Sequence, residues 1–212
     1  MTHPLDARDP GRMVNLALTR KSGAINYRFS VPDYEAYRAS VHSLSGIIAF
    51  SPESMALSDA GAMINQRSSA AGSFLGRLGL MPVGAGNAEF ASTFLVSENY
   101  FKILGVEPLR GRSFESLSVT ELAASPSVLI TENYWQRRFG GDPAILGRTI
   151  RLNGAAVTII GITPRDFVGT SIAAPDFWVP LSLEPLFPPG TQLAGRSRNQ
   201  VLPAVRPPGS RR

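Results

Sequence analysis

Short apolar runs separated by turn-forming residues dominate the hydrophobic pattern of this chain. Residues 13–18, 89–96, 127–131 and 177–181 each form such a run, with the length and composition typical of β-strands. The pattern therefore predicts a protein built on many short strands, with helices between them.

Residues 46–66 contain three shorter apolar runs, at 46–50, 55–57 and 62–66. Pro52 and the cluster at 59–61 separate these runs, and both are turn-forming sequences. We expect a small antiparallel meander over this segment. Asn153-Gly154 lies between two further apolar runs and predicts a hairpin, because both residues accept the positive φ angles of a tight turn.

Helix-start signals precede three short segments. Ser30, followed by a proline and an aspartate, predicts a helix that runs to about residue 41. Ser97 predicts the start of a helix over 98–104, and Thr131 the start of a helix over 132–139. Glycine follows each of these two segments, as is typical of helix ends.

Two segments lack the hydrophobic periodicity that is typical of helices and strands. Residues 68–87 are rich in Gly, Ala and Ser and predict a long loop. From residue 188 the composition shifts to Pro, Gly and Arg, and we expect a disordered tail over 188–212.

Composition narrows the class of protein. The 20 glycines and 17 prolines support a turn-rich α+β domain, and the absence of cysteine excludes disulfides, zinc–thiolate sites and thiol nucleophiles. No run approaches the roughly 20 apolar residues that span a bilayer. Residues 1–12 lack the apolar core of a signal peptide.

The net charge of +5 does not indicate nucleic-acid binding. Five of the 21 basic residues are arginines in the last seventeen positions, so basic and acidic residues balance at 16 each over residues 1–195. A phosphate-binding surface needs clustered basic residues within the folded body. We therefore expect no nucleic-acid partner.

Candidate catalytic residues are few. The two histidines are His3, near the chain start, and His42, just past a predicted helix end. No Gly-x-Ser-x-Gly sequence or phosphate-binding glycine loop accompanies them. The sequence thus predicts no nucleophile activated by histidine and no nucleotide site.

Two carboxylate pairs, Asp33 with Glu35 and Asp6 with Asp9, are weak candidates for acid–base or metal chemistry. Residues i and i+2 of a helix point apart, and Asp33 is explained by the predicted helix start. We predict no catalytic residue, no cofactor-binding residue and no metal ligand, and we expect the protein not to be an enzyme.

Ordered motifs carry a family resemblance. The first block reads VSENYFKILGV at 96–106 and GRSF at 111–114. The second reads VLIT, YWQRRFGGDP and ILGRTIRLNG between 128 and 154. The third reads VTIIGI at 157–162 and FWVPL at 177–181. With the weaker VPDY at 31–34, these motifs resemble, over residues 10–182, the MacB-like periplasmic core domain of ABC transporter permeases, especially the large permeases common in acidobacteria.

The resemblance implies an α+β fold of mixed small sheets and short helices in two subdomains. One is a discontinuous α/β subdomain near the membrane, and the other is a β-rich inserted subdomain. It implies a lead at 1–9, a core domain at 10–187, and no catalysis or cofactor. Members lie on the extracytoplasmic face of the inner membrane and couple conformational change to substrates or partners there.

The family context also implies partners outside this chain. In the parent protein these are membrane-embedded permease helices, an ABC ATPase, a periplasmic partner protein and a second copy of the permease. Members return to the membrane through a strand and a helix that we do not identify in residues 188–212. We therefore expect a truncated or frameshifted fragment with an open sheet edge and marginal stability.

Two alternatives remain open. One is a free-standing extracytoplasmic glycan- or peptide-binding module, which holds its ligand with the loop at 68–87 and requires Trp135 or Trp178 to be exposed. The other is a hydrolase using Asp or Glu residues, which predicts that Asp33→Asn abolishes activity.

Overall fold

The structure is a computed structural model that describes residues 13, 16–19, 23, 25, 26, 28–59, 89–170, 174–187 and 199–205. The predicted strand at 62–66 and the predicted loop at 68–87 lie outside these residues. So do His3, Asp6 and Asp9.

The helices and strands are short, except for one strand of 16 residues at Leu44–Asp59. The strands are β1 (Leu18–Thr19), β2 (Ile25–Asn26), β3 (Arg28–Phe29), β4 (Leu44–Asp59), β5 (Glu89–Val96), β6 (Arg110–Gly111), β7 (Ser127–Thr131), β8 (Thr149–Leu152), β9 (Ala155–Thr163), β10 (Phe177–Pro180) and β11 (Asn199–Val205). The helices are α1 (Val31–Ser40), α2 (Tyr100–Leu104), α3 (Val119–Ala124) and α4 (Glu132–Phe139), with 3-10 turns at Phe114–Ser116, Pro143–Ile145 and Leu181–Leu186.

Nine of these strands form one mixed sheet. The pairing order is β3-β11-β4-β5-β10-β7-β9-β6, and β8 pairs with both β9 and β4. Strands β4, β5, β10, β7, β9 and β8 therefore form a closed ring in which each strand pairs with two others. Two of the six ring pairs are parallel (β10 with β5, β7 with β9) and the other four are antiparallel, which confirms the predicted α+β class with mixed pairing.

The core lies on both faces of this sheet, because alternate residues of a strand point to opposite faces. All six ring strands contribute to one apolar cluster, through Leu57, Leu95, Val179, Ile130, Ile159 and Leu152 among others. A second cluster covers the other face and contains Phe94, Leu129 and Trp178 together with α2. The two clusters fill both faces of the ring, and the buried polar residues among them are a few serines and threonines such as Ser51, Thr93 and Thr163.

The predicted three-strand meander is wrong, since residues 46–50 and 55–57 belong to the single long strand β4. Ala56 exchanges hydrogen bonds with Asn153 on the side of β4 that faces away from β5. Pro52 lies four residues earlier, so its missing N–H faces the same side. There β11 pairs with 44–50 and β8 with 57–59, so Pro52 falls between two partners and breaks no hydrogen bond.

The predicted disordered tail is wrong for residues 199–205, which form strand β11 antiparallel to β4. This strand pairs along one edge of β4, so the expectation that a missing return strand leaves a sheet edge open loses its basis, and so does the marginal stability argued from it. Pro203 lies opposite Ile47 in β4. This pair exchanges no backbone hydrogen bond, because the Ile47 carbonyl faces the other side of β4 and accepts a hydrogen bond from the Asn99 side chain. Proline is tolerated at such a position because no N–H from it is needed. The rest of the predicted tail lies outside the described residues.

Most of the local signals are confirmed. Ser30 and Asp33 form a reciprocal capping box at α1, and the Thr131 hydroxyl accepts the Tyr134 N–H at the start of α4. Asn153 and Gly154 take φ angles of 46° and 84° in the β8–β9 turn.

The helix predicted to start at Ser97 begins later, at Tyr100. The Ser97 hydroxyl accepts the Ala49 N–H from β4 and makes no cap. Helix α3 was not predicted, although Ser118 and Glu121 form the Ser-x-x-Glu capping box that is typical of a helix start.

Candidate functional site

The candidate titratable residues from the sequence do not come together. His42 is exposed just beyond α1, and Glu35 is exposed on that helix. The Ser30 hydroxyl and N–H donate to the Asp33 carboxylate and hold its pKa below the ordinary value. Asp33 therefore stabilises the start of a helix.

Two features are absent from the described residues. No three or more His, Cys, Asp or Glu side chains there lie close enough together to hold a metal ion. No helix in the same part of the chain has the length and apolarity needed to cross a bilayer.

Trp178 lies at the centre of an aromatic cluster built by the motif residues. Its ring contacts Phe94, Tyr100, Phe101 and Phe167 with centroid distances of 5.2 to 5.7 Å. The indole N–H donates to the Thr163 hydroxyl at 3.1 Å, and the side chain is 0% exposed. These contacts give Trp178 a packing role and leave no face for a ligand.

Tyr100 fixes the loop that follows β9 onto this cluster. Its hydroxyl accepts the Thr170 N–H at 3.0 Å and lies 3.0 Å from the Thr170 hydroxyl. Burial raises the pKa of Tyr100 to about 12, against the opposing effect of the Thr170 hydrogen bonds. Gly169 has a φ of +68°, and a β-carbon there would lie 2.6 Å from the Tyr100 oxygen.

Trp135 has the same packing role on the other face of the sheet. It is 6% exposed, and its indole N–H donates to the Asp142 carbonyl at 2.9 Å. The Arg110 guanidinium carbon lies 5.3 Å from the centre of its ring. Arg110 therefore covers one face of the Trp135 ring.

The segment that holds Arg110 is the most distinctive surface feature of the described residues. Residues 109–112, which we call the edge ridge, run along β9 at the end of the sheet. The Leu109 N–H donates to the Ile162 carbonyl at 2.7 Å and the Arg112 N–H to the Ile160 carbonyl at 3.0 Å. Between them Gly111 takes a φ of +79°, a conformation that glycine adopts readily.

All four ridge residues are exposed, and the side chain of Leu109 is 51% accessible. A shallow concavity of about 460 Å³ adjoins the ridge. It is lined by Val106, Glu107, Pro108, Gly111, Ser113, Glu115 and Ser116. No local pattern identifies this surface, because its exposure and its partner Trp135 depend on the fold.

Two ion pairs attach α4 to the starts of neighbouring ring strands. Arg137 pairs with Asp176 at 2.7 Å, and Arg138 pairs with Glu89 at 2.7 Å. The Tyr134 hydroxyl donates to Glu89 at 3.4 Å, and burial raises the pKa of Tyr134. Because these carboxylates are committed to arginines, they form a structural clamp and leave no free acid–base pair.

Comparison with known proteins places these features in a family. A family model described as the MacB-like periplasmic core domain matches residues 8–208, a range that includes β11. A curated relative, the macrolide export ATP-binding/permease protein MacB 1 of Aeromonas hydrophila, is 36% identical over 74 residues. That alignment covers 35% of this chain and 11% of the relative.

Three solved structures share the fold. A domain of a putative permease from Porphyromonas gingivalis has a TM-score of 0.57 at 19% identity, covering 94% of this chain and 77% of that one. The periplasmic region of MacB from Actinobacillus actinomycetemcomitans gives 0.54 at 15%, covering 91% and 72%. The extracellular domain of the noncanonic ABC-type transporter YknZ from Gram-positive bacteria gives 0.56 at 12%, covering 92% and 83%.

Proposed function

Since this chain belongs to the MacB-like periplasmic core domain family, we propose that it is the non-catalytic extracytoplasmic domain of an ABC-type transporter permease. In this role it couples conformational change in the membrane to substrates or partner proteins outside it. The observation that carries the proposal is the family match over residues 8–208, together with the shared fold.

The proposal assigns the remaining parts of the transporter to other segments or subunits. Membrane-embedded helices and an ABC ATPase supply translocation and ATP hydrolysis, and this domain lies on the outer face of the inner membrane. A periplasmic partner protein and pairing with a second permease copy belong to the same proposal. Asp33 is hydrogen-bonded at a helix start, and Glu89 and Asp176 form ion pairs with arginines. These structural roles of the three carboxylates support a non-catalytic function.

The alternative of a free-standing glycan- or peptide-binding module loses its main support. It requires an exposed tryptophan, whereas Trp135 is 6% exposed and covered by Arg110, and Trp178 is 0% exposed. The loop that it assigned to ligand binding, 68–87, lies outside the described residues.

A chimeric transporter tests the proposed function. Residues 8–208 replace the periplasmic core domain of a MacB-type permease, and export and ATP hydrolysis are measured in membrane vesicles. We expect export above that of a permease in which a flexible linker replaces the domain. A chimera that inserts and hydrolyses ATP, yet exports no more than the linker control, would contradict the coupling role.

A further inference from the structure

The segment that follows β9, residues 164–170, which we call the strap, is attached at one end to α4. Pro164 has no N–H with which to continue the pairing of β9 with β7. The Arg165 N–H donates to the Glu132 carboxylate at 3.1 Å, and the Arg165 Nε donates to the Asn133 side chain at 2.7 Å. Both hydrogen bonds are exposed, so water competes for the same groups and each contributes little to stability.

The other end of the strap is attached to α2, where the Tyr100 hydroxyl accepts the Thr170 N–H at 3.0 Å. Between the two ends, Phe167 is 4% exposed, and its ring centre lies 5.2 Å from that of Trp178 and 5.7 Å from that of Phe101. Among the seven strap residues, all of which the structure describes, no other has a large side chain that is buried. Phe167 therefore supplies most of the apolar surface that the strap buries.

The aromatic residues that Phe167 contacts also pack against one another. The ring centre of Trp178 lies 5.6 to 5.7 Å from those of Phe94, Tyr100 and Phe101, which belong to β5 and α2. Withdrawal of Phe167 leaves these contacts and the pairing of the ring strands in place. Segments with few buried apolar contacts and exposed hydrogen bonds open at a lower free energy than the whole fold.

We propose that the strap is a conformational device that opens as a unit and withdraws Phe167 from the aromatic cluster while the six ring strands stay paired. Opening removes a link between α4 and α2 and uncovers the sides of Trp178 and Phe101 that Phe167 covers in the closed form. The inference rests on contacts within this chain and does not depend on the proposed function. It adds to that function a part of the domain that changes conformation without breaking the ring.

Native-state hydrogen exchange of the full chain, labelled with ¹⁵N, tests the strap at low concentrations of denaturant. We expect the Thr170 amide to have a protection factor at least tenfold lower than those of the Leu129 and Ile130 amides in β7. Its dependence on denaturant should also be weaker, because strap opening exposes less surface than global unfolding. Equal protection and equal dependence would overturn the proposal, since the strap would then open only with the whole fold. An unprotected Thr170 amide would also overturn it, because the strap would then not be closed.

Phe167→Leu and Phe114→Leu form a matched pair of variants. Phe114 is 0% exposed and its ring centre lies 5.8 Å from that of Phe101, but it lies outside the strap. Phe167→Leu weakens the closed strap relative to the open one and should lower the Thr170 protection factor about tenfold. Phe114→Leu weakens the closed and open forms alike, so it should lower protection in β7 and leave Thr170 unchanged. Equal losses at Thr170 in the two variants would overturn the proposal. The measurement uses the isolated chain, so it is independent of the chimera's export.

Discussion

Replacing Gly111 by alanine should weaken the fold more than the same change at Gly147, another glycine of positive φ. A β-carbon at this position would overlap the Ile160 carbonyl oxygen and lie 2.8 Å from the Gly161 α-carbon. Both obstacles are backbone atoms of β9, so no side-chain rotation relieves them. The ridge must therefore move away from the sheet or β9 must distort.

Gly147→Ala provides the matched control for this substitution. Gly147 has a φ of +86° and donates its N–H to Ile159 on the same edge of β9, but a β-carbon there meets nothing within 4 Å. The left-handed conformation alone costs an alanine roughly 1–2 kcal/mol. Steric overlap with a packed backbone adds about 1–3 kcal/mol. We expect the free energy of unfolding of Gly111→Ala to be lower than that of Gly147→Ala by this additional amount.

Denaturant unfolding of the parent and both variants, followed by circular dichroism, measures the two free-energy differences. The expected order of stability is parent, Gly147→Ala, then Gly111→Ala. Equal destabilisation by the two substitutions would refute the reasoning, because φ strain would then account for the whole effect. The Trp135 indole signal gives a second readout, since Gly111→Ala should also displace Arg110 from the ring.

Four further outcomes follow from the structure. The N–H and hydroxyl of Ser118 lower the pKa of Glu121 below its ordinary 4.5, so the stability lost in Glu121→Gln should shrink as the pH falls from 6 to 3 in parallel unfolding curves; a constant difference would contradict this. Tyr100→Phe leaves the Thr170 N–H without its acceptor and should cost about 1–3 kcal/mol in denaturant unfolding, and an unchanged midpoint would contradict the loop attachment. The parent should lose stability as the pH rises from about 10 toward 12, because the raised pKa of Tyr100 opposes ionisation in the folded state. In hydrogen exchange, the Leu202 amide should be protected through its pairing with β4, and free exchange there would contradict strand β11.

Strands, turns and helix starts that are specified by neighbouring residues are predicted well from the sequence. Continuous apolar character identified β7, all five residues of which are buried, and the Asn-Gly pair identified the β8–β9 turn. The Thr131 cap likewise marked the start of α4. In each case the residues that specify the structure lie within a few positions of the structure itself.

Proline was misleading where strand partners are distant in the chain. Pro52 and Pro203 suggested a turn and a disordered tail, yet both lie within paired strands. Whether a proline breaks a strand depends on which side of it a partner lies. The partner of Ala56, for example, is Asn153, 97 positions away, and no local pattern reveals that pairing.

The edge ridge depends on distant contacts in the same way. The sequence around Arg110 shows two arginines and a glycine, which alone are typical of an exposed turn. Only the fold brings Trp135 under Arg110 and places Ile160 against Gly111. A surface whose geometry comes from three separate segments could not be predicted from any one of them.

The long strand β4 determines how motion could pass through this domain. Its first half, 44–50, pairs with β11, and its second half, 50–59, pairs with the ring strands β5 and β8. A displacement of β11 therefore reaches the ring through hydrogen bonds aligned along one continuous backbone. The ring itself resists shear, because each of its six strands is paired on both sides. The edge ridge is attached to this ring through β9, so on the proposed function it moves with the ring as a unit.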